Sequence, residues 1–505
     1  MDNSVIIIGA GFGGLSAGCY GQMNGYRTSI FEMHDKPGGL CTAWQRKGYT
    51  IDGCLHWLVG SAPGGAIPGL YSLWQELGAL QGQQVIDLDY FYRIEGVDGR
   101  AFNIYSDIDS LEQHMKELAP EDARFISEYC KAVRRFCRLD LPVDKPPEMY
   151  TPFEGLRFMF KIFPFLGDLR KWSRMTMKDF AMQFKSPLLR DAWQQGQAVW
   201  RPEFSPFFIM MTLSALHQKS AGYVIGGSMK LSRAIEKRYL DLGGEIRYKS
   251  RVTEILVEND CAVGVKLADG SEHRADCVIS AADGHATIFE MLGGKYINEK
   301  IRGYYEKLLV FSPLIYIGLG VNRSFKEMPQ IVSGFAFPLD KPVVIAGEER
   351  KWLSVRIHNF DPTLAPEGKS LLTVMIGSSY PYWDSLRRDM ARYTAEKEQI
   401  ADTVVALLDK RFPGLSSQVE MRDVATPVTF NRYTGNWQGT FEGWLLTPET
   451  VNLRMKKTLP GLDRFYMAGQ WVQPGGGLPS GAMTGRYVVQ MMCKRDKKRF
   501  VATVP

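Results

Sequence analysis

The chain has 505 residues, a hydrophobic share of 45% and a net charge of +6. A chain of this length is too long for one simple core, so we expect two or three subdomains. The modest charge excludes the strongly basic profile of a nucleic-acid-binding protein. No uncharged stretch approaches the roughly 18 residues that span a bilayer, and residues 5–8 are too short for a signal peptide.

The cysteine and histidine spacing predicts no metal site. The eight cysteines are scattered without a C-x-x-C pair, and the seven histidines form no H-x-x-H pattern. Metal or dithiol chemistry is therefore not expected. Cysteines used in this way favour a reduced compartment. We expect a cytoplasmic protein, either free or peripheral on the cytoplasmic face of the membrane.

The first predicted element is a buried strand that leads directly into a glycine-rich turn. Residues 4–8 are apolar and mostly β-branched, which favours a parallel strand. They are followed by the dinucleotide-binding pattern G-x-G-x-x-G, formed by Gly9, Ala10, Gly11, Phe12, Gly13 and Gly14. Gly9 permits the tight turn, Gly11 lets the backbone approach a pyrophosphate, and Gly14 lets the next helix pack on the strand. The N-terminus of that helix attracts phosphates.

The second predicted strand ends in an acid. Residues 28–32 finish at Glu32, roughly 20 residues after the glycines, where a carboxylate binds an adenosine ribose. Met33 follows it. The doublet Gly38-Gly39 and Leu40 come next, and without other evidence they indicate only a turn.

The segment from about 76 to 219 is predicted to be helical and rich in aromatic residues. Within it, residues 150–175 interleave aromatic and basic side chains, as segments in a membrane interface do. Pro164 prevents one continuous helix there. The alternative is a core helix pair whose basic residues face water.

Later segments return to strands and end in a second glycine loop. Strands are predicted near residues 244–248, 252–257, 262–267, 276–282, 312–320 and 370–376, and a polar helix near 394–408. From about 455 a strand, a glycine loop (474–481) and a helix complete the chain. Residues 1–75, 220–290 and 455–505 would assemble one cofactor domain. Residues 76–219 form a helical insertion that faces a membrane or water, and 291–454 a substrate domain.

Five separated motifs resemble the phytoene-desaturase branch of the FAD-dependent amine-oxidase-type flavoproteins, which includes carotenoid desaturases, carotenoid isomerases and retinol saturases. The motifs are the fingerprint with Glu32, the Gly38-Gly39 doublet, the step at residues 48–53, the segment 252–282 and the loop 468–481. The resemblance covers nearly the whole chain. It implies an α/β fold, in which a Rossmann-like FAD-binding domain has a discontinuous parallel sheet and carries an inserted α+β substrate domain.

The resemblance also implies which residues bind FAD. They are Gly9, Ala10, Gly11, Phe12, Gly13, Gly14, Glu32, Met33, Gly38, Gly39, Leu40, Val252, Ala281, Gly469, Gln470, Gly476, Gly477, Leu478 and Pro479. In the family, the residue that matches Val252 contacts adenine through its backbone. The loop 475–481 would point N–H groups at the pyrimidine end of the flavin, which favours the anionic reduced form. Gln470 stands where several relatives carry an acid, so a hydrogen bond survives there without the negative charge.

Three residues are candidates for catalysis. His56 would lie near the isoalloxazine as an acid or base; the alternative is a core residue beside Trp57. Residues 426–435 resemble the T-P-x-T-x-x-R-Y-x-G element of the isomerase and saturase members, which makes Arg432 and Tyr433 candidates. The alternative is a loop with an exposed Arg-Tyr pair.

The implied function is FAD-dependent oxidation or reduction of an apolar polyene or isoprenoid lipid at its carbon–carbon double bonds. Desaturation, saturation and isomerisation all fit, and residues 52–57 and 432–433 look more like the isomerase and saturase members. We expect a substrate tunnel lined by Met, Phe and Trp. An amine or protoporphyrinogen-type oxidase is one alternative. A prenyl-binding escort protein is another, against which the intact flavin-side loop argues. The electron partner and the oligomeric state stay open.

Overall fold

The central layer of the computed structural model, which describes residues 3–64, 67–195 and 201–505, is a five-stranded parallel sheet. In spatial order its strands are Glu245–Arg247, Arg27–Phe31, Ser4–Ile8, Cys277–Ser280 and Phe465–Met467. The sheet takes strands from both ends and from the middle of the chain. This arrangement confirms the predicted α/β fold with a discontinuous parallel sheet.

Both faces of the parallel sheet are covered, as expected for a parallel sheet whose strands are apolar on both sides. Val5 and Ile7 pack toward the helical side, and Ile6 and Ile8 toward the opposite side. The helical side carries Phe12–Met23, Gly227–Asp241 and Gly477–Arg495. The opposite side carries an antiparallel sheet of Val252–Glu258, Cys261–Leu267 and Glu272–Arg274.

Small residues bring the first and last of these helices into close contact. A Cβ atom on Gly485 would lie 2.4 Å from the carbonyl oxygen of Gly13. The Ser16 hydroxyl donates a hydrogen bond of 2.6 Å to the carbonyl oxygen of Ala482. The two ends of the chain are therefore joined by backbone-to-backbone packing that a larger side chain would disrupt.

A second, mixed sheet has seven strands. In spatial order they are Val419–Ala425, Leu314–Val321, Ser370–Gly377, Glu348–Ile357, Phe335–Ile345, Tyr90–Glu95 and Ala101–Tyr105. Phe335–Ile345 pairs with Tyr90–Glu95 in parallel, and the other pairs are antiparallel. Helices Tyr380–Leu386 and Met390–Arg411 pack on this sheet. It forms the core of the inserted α+β domain that was predicted, and the polar helix expected near residues 394–408 lies within Met390–Arg411.

The segment 76–219 is mainly helical but also supplies strands to this mixed sheet. Its helices are Ile108–Leu118, Ala123–Phe136, Pro152–Ile162, Leu166–Ser173, Met177–Ala181, Pro187–Gln195 and Pro206–His217. The prediction of a helical insertion therefore missed Tyr90–Glu95 and Ala101–Tyr105. Residues 101–105 alternate between half-buried and buried positions, with Phe102 and Ile104 inward, which is the period of a strand. The domain boundaries themselves stay predictions.

The remaining elements connect these layers. The short strands are Ala43–Arg46, Tyr49–Asp52, Leu58–Val59, Val85–Ile86 and Ala221–Val224, and the further helices are Gly69–Glu76, Glu299–Lys307 and Pro427–Thr434. Pro164 lies in a single 3₁₀ turn, Phe163–Phe165, between two helices, as predicted. Within the described ranges, we find no helix whose length and apolar character would let it cross a membrane.

Candidate active site

A cavity of about 1360 Å³ lies at the carboxyl ends of the parallel strands, where α/β proteins bind their ligands. One part of it, the glycine-lined part, is bordered by Gly9, Gly11, Gly13, Glu32, Gly38, Gly39, Gly469, Gly476 and Gly477. A second, apolar part is bordered by Leu141, Val143, Phe158, Phe204, Phe207, Phe208, Met211, Phe311 and Phe441. One space thus joins a backbone-lined site for a polar ligand to an apolar one.

The fingerprint glycines are constrained in different ways. Gly9 has a φ of +93°, and its N–H donates to the carbonyl oxygen of Phe31 at 2.8 Å. A Cβ atom on Gly14 would lie 1.9 Å from the carbonyl oxygen of Gly9, so the helix could not pack so closely on the strand. A Cβ atom on Gly11 would meet no protein atom within 4 Å. Space beside the Gly11 backbone is therefore open to a ligand.

Glu32 is buried at the end of the strand Arg27–Phe31. Its carboxylate accepts hydrogen bonds from the N–H groups of Ala10 at 2.6 Å and His34 at 2.8 Å. Burial raises the pKa of Glu32, and these N–H donors oppose that rise. The carboxylate is thus held against the glycine turn and borders the cavity, where the predicted ribose contact requires it.

The Gly38-Gly39 doublet lies beside the fingerprint. Gly38 has a φ of +105° and donates its N–H to the carbonyl oxygen of Ala10 at 2.8 Å. A Cβ atom there would lie 2.2 Å from the carbonyl oxygen of Cys41. Position 38 therefore requires glycine because of its positive φ and its close backbone contact, and both glycines of the doublet also border the cavity.

The second glycine loop closes the cavity from the other end of the chain. Gly469 has a φ of +100°, and its N–H donates to the Thr484 hydroxyl at 2.7 Å. Gly476 has a φ of +56°, and the helix Gly477–Arg495 begins directly after it. The N-termini of this helix and of Phe12–Met23 both lie at the cavity, where their dipoles favour electron-rich groups.

The structure brings nearly all predicted cofactor residues to this cavity. Those that border it are Gly9, Gly11, Phe12, Gly13, Glu32, Met33, Gly38, Gly39, Leu40, Val252, Ala281, Gly469, Gln470, Gly476, Gly477, Leu478 and Pro479. Ala10 and Gly14 lie behind this surface: Ala10 is buried and bonds to Glu32, and Gly14 packs on Gly9.

His56 also borders the cavity, on the turn that follows the strand Tyr49–Asp52. The buried Asp52 carboxylate holds this turn by accepting hydrogen bonds from the N–H groups of Cys54 (3.0 Å) and Leu55 (3.1 Å). The imidazole Nδ1 lies 3.1 Å from the Ser333 hydroxyl. The predicted position near the cofactor residues therefore agrees with the structure, and the catalytic role of His56 stays a prediction.

Arg356 is a residue of this site that sequence reasoning missed. Its buried guanidinium donates to the carbonyl oxygens of Leu55 at 2.9 Å and His56 at 3.4 Å. Burial, followed by the Arg356 charge, holds the pKa of His56 well below its usual range, so the imidazole is neutral. No local pattern could reveal this contact, because 300 residues separate Arg356 from His56.

Arg432 borders the cavity, whereas Tyr433 does not. They belong to the helix Pro427–Thr434, which begins at a capping box made by Thr426 and ends at Gly435 with a φ of +71°. The Tyr433 ring is 43% exposed, does not border the cavity, and lies 5.1 Å from the His34 ring.

The Arg432 guanidinium lies 4.8 Å from the Tyr433 ring centroid, at the rim of the cavity. The pair thus packs near the segment that follows Glu32, and in the described chain neither side chain contacts His56. Arg432 lies on the cavity wall, and the catalytic roles predicted for Arg432 and Tyr433 stay predictions.

Glu442 is a second residue that the sequence did not single out. It borders the cavity, and burial raises its pKa to about 8. The backbone at Glu442 contacts the second glycine loop, because a Cβ atom on Gly476 would lie 2.3 Å from the Glu442 carbonyl oxygen. A carboxyl group is therefore placed where the loop meets the apolar part of the cavity.

Comparisons with known proteins agree with this geometry. Residues 12–493 match the family described as flavin-containing amine oxidoreductase, so the chain belongs to that family. It is 27% identical to a chloroplastic prolycopene isomerase from Daucus carota, over 95% of this chain and 78% of that protein. It is 26% identical to a neurosporene-forming phytoene desaturase from Rhodobacter capsulatus, over 96% of this chain and 93% of that protein.

A redesigned triple mutant of putrescine oxidase has a similar fold, with a TM-score of 0.60. The two chains are 14% identical, and the match covers 98% of this chain and 99% of that one. The predicted relationship to the phytoene-desaturase branch of the amine-oxidase-type flavoproteins is confirmed by these comparisons, and the cofactor is FAD.

The residues of the cavity fit FAD. The open space at Gly11 and the adjacent helix N-terminus suit a pyrophosphate, and the bonded Glu32 carboxylate suits the adenosine ribose. The loop at Gly476 and Gly477 presents backbone rather than side chains to the remaining space. These residues would hold the flavin, and their roles at individual positions stay predictions.

Proposed function

We propose that this protein is an FAD-dependent oxidoreductase that acts on carbon–carbon double bonds of an apolar polyene or isoprenoid lipid. The observation that supports the proposal is the continuity of the glycine-lined and apolar parts of one cavity. Its volume of about 1360 Å³ exceeds the roughly 300–1,000 Å³ typical of a site for one small ligand. There is room for a cofactor and a second molecule.

The lining of the apolar part favours a hydrocarbon substrate. The helix Pro206–His217 and the turn before it supply Phe204, Phe207, Phe208 and Met211. Later segments of the chain supply Phe311 and Phe441. Burial of a polyene against such side chains is favourable by about 25 cal/mol for each Å² removed from water. The expected Met and Phe lining is present, and Trp57 adds a tryptophan.

Bound FAD would supply the hydride acceptor or donor for the reaction. The protein's part is to hold the substrate against that cofactor in one orientation, which the continuous apolar wall favours. The prolycopene isomerase and the phytoene desaturase that the chain resembles support a polyene substrate. We favour isomerisation or saturation over desaturation, since residues 52–57 look more like the isomerase and saturase members.

The test is a titration of the FAD-loaded protein with polyenes and, separately, with amines. A polyene that binds near the flavin shifts both its own absorbance and the flavin bands, and saturates at one molecule per FAD. An amine panel run under the same conditions is the comparison. Flavin bands that respond to amines and not to any polyene would contradict the proposal and favour an amine oxidase.

We further propose that the helix Pro152–Ile162 contacts a membrane that contains anionic lipid. Phe153, Phe160 and Phe163 are exposed at 73%, 72% and 71%. The spacing of Phe153 and Phe160 places both on one side of the helix, and Phe163 begins the 3₁₀ turn that follows it. Phe158 of the same helix borders the cavity. An exposed apolar face that adjoins an apolar cavity suits uptake of a lipid from a bilayer.

Basic residues flank this face. Arg157, Arg170 and Arg174 are exposed, and no carboxylate of the described residues forms an ion pair with them. Each cation near an anionic surface contributes about 1 kcal/mol of attraction. The cytoplasmic location expected from the cysteines stays a prediction.

A further inference from the structure

We propose that Glu442 is a catalytic residue that donates a proton to, or accepts one from, the substrate carbon next to the carbon that exchanges hydride with FAD. This inference rests on the proposed function. It is carried by the position of the carboxyl group at the junction of the two parts of the cavity and by the absence of a hydrogen-bond partner for it among the described residues.

The position follows from backbone contacts. The segment 441–444 runs beside the second glycine loop, because the Gly475 N–H donates to the carbonyl oxygen of Trp444 at 3.1 Å. A Cβ atom on Gly476 would lie 2.7 Å from the Cβ of Glu442, so the two backbones are in contact. On the other side, the ring of Phe441 lies 5.3 Å from the ring of Phe311 in the apolar wall. Glu442 therefore lies between the second glycine loop, which is predicted to bind the flavin, and the apolar part of the cavity.

The other carboxylates that border the cavity are already engaged. Glu32 accepts from the backbone near it, Asp283 accepts from the N–H groups of Ala286 and Trp437 at 2.8 Å each, and Glu290 lies 3.7 Å from His285. Glu442 has no such contact in the described chain. A partly buried carboxyl group that borders the cavity without a protein partner is free to contact a ligand there.

The surroundings of Glu442 keep it protonated. Its pKa of about 8 results from burial, and no opposite charge among the described residues offsets that rise. The adjoining segment carries the titratable residues Asp52, Cys54 and His56. The pKa of Cys54 is raised and that of His56 is lowered, so both groups are neutral near pH 7. The Asp52 carboxylate accepts hydrogen bonds from the N–H groups of Cys54 and Leu55. Gln470 on the loop carries no charge. A carboxyl group that holds its proton near neutral pH is suited to general acid catalysis.

The proton balance is the same in both directions. In saturation, bound reduced FAD would supply the hydride for one C–H bond, and Glu442 would give its proton to the neighbouring carbon and become a carboxylate. In desaturation, bound oxidised FAD would accept the hydride with its electron pair, and the Glu442 carboxylate would take the proton from the neighbouring carbon. Glu442 moves only a proton in either case.

The experiment compares wild type with Glu442→Gln and with Glu449→Gln, an exposed glutamate in the same segment. Infrared difference spectra at pH 7, wild type minus variant, report the C=O stretch of the protonated carboxyl group that the variant lacks, and parallel assays follow FAD binding, polyene binding and turnover in D₂O. We expect Glu442→Gln to keep FAD and polyene binding, to lose the carboxyl band, and to slow turnover and deuterium uptake by about 10²–10⁴-fold. Glu449→Gln should behave as wild type.

Three outcomes would contradict parts of this account, and they are distinguishable. Full turnover by Glu442→Gln in D₂O would overturn the role of Glu442 and leave the polyene function intact. A difference spectrum, wild type minus Glu442→Gln, without a carboxyl band would also overturn that role, whatever the substrate. Wild type that shows the band but turns over no polyene would overturn the proposed function and, with it, the catalytic role.

Discussion

Gly11 and Gly14 occupy the same turn but are constrained by different neighbours. A methyl group on Gly14 would press against the carbonyl oxygen of Gly9, whereas one on Gly11 would enter open space. We therefore expect Gly14→Ala to lower the free energy of unfolding of the FAD-free protein by about 1–3 kcal/mol. Gly11→Ala should leave that stability unchanged and weaken FAD binding by about tenfold or more, or about 1.4 kcal/mol.

Denaturant unfolding of the FAD-free proteins and FAD titrations test this pair. The two variants serve as controls for each other, since each adds one methyl group to the same turn. Equal losses of stability in both would show that Gly11 is constrained by protein packing, and would contradict its proposed place against the pyrophosphate.

The Glu32 carboxylate is the polar group whose loss should most affect FAD retention. Removal of a charged hydrogen-bond acceptor costs about 1.5–3 kcal/mol, so Glu32→Ala should raise the FAD dissociation constant roughly 10- to 100-fold. Asp35→Ala is the control, because Asp35 is exposed and does not border the cavity. Fluorescence titration measures both constants. An unchanged constant for Glu32→Ala would contradict the ribose assignment.

At the scale of an element, the helix Pro152–Ile162 and the turn after it should bind membranes through their exposed aromatic face. Each Phe that enters the interface contributes about 1.5 kcal/mol or more. Replacement of Phe153, Phe160 and Phe163 by Ser should therefore weaken vesicle binding at least about a hundredfold. Flotation with vesicles of phosphatidylcholine and phosphatidylserine measures this.

Val97 and Val344 provide the control for that prediction. Both are exposed, at 80% and 69%, on other elements of the protein. Serine at these positions should leave vesicle binding unchanged. If all the variants bind vesicles equally, the aromatic face of Pro152–Ile162 is not the membrane contact.

At the scale of the whole molecule, the cofactor-binding part could be predicted because its signals are local. Gly9, Gly38, Gly469 and Gly476 all have positive φ values, a conformation that side chains disfavour, so glycine patterns mark these turns in the sequence. The strands that flank them are short apolar runs. The sequence alone therefore predicts that the two distant ends of the chain belong to one sheet.

The rest of the site depends on contacts between distant segments. Arg356 reaches His56 from a different sheet, and Glu442 reaches the cavity because its segment bonds to the second glycine loop. Neither residue has a periodic or motif signal. The helix Pro427–Thr434 is a different case, since Thr426 before a proline and Gly435 after the last turn are recognisable helix ends. The alternative interpretation of this stretch as a loop overlooked these helix ends.

The central claim is that bound FAD and an apolar polyene react in one cavity. Product analysis after anaerobic incubation tests it most directly, with the FAD-loaded protein in its oxidised and reduced forms and with polyenes, retinol and amines as separate substrates. We expect a polyene or retinoid product whose double bonds have changed in number or geometry, in at least one redox form. Conversion of amines alone, with every polyene and retinoid recovered unchanged, would contradict it.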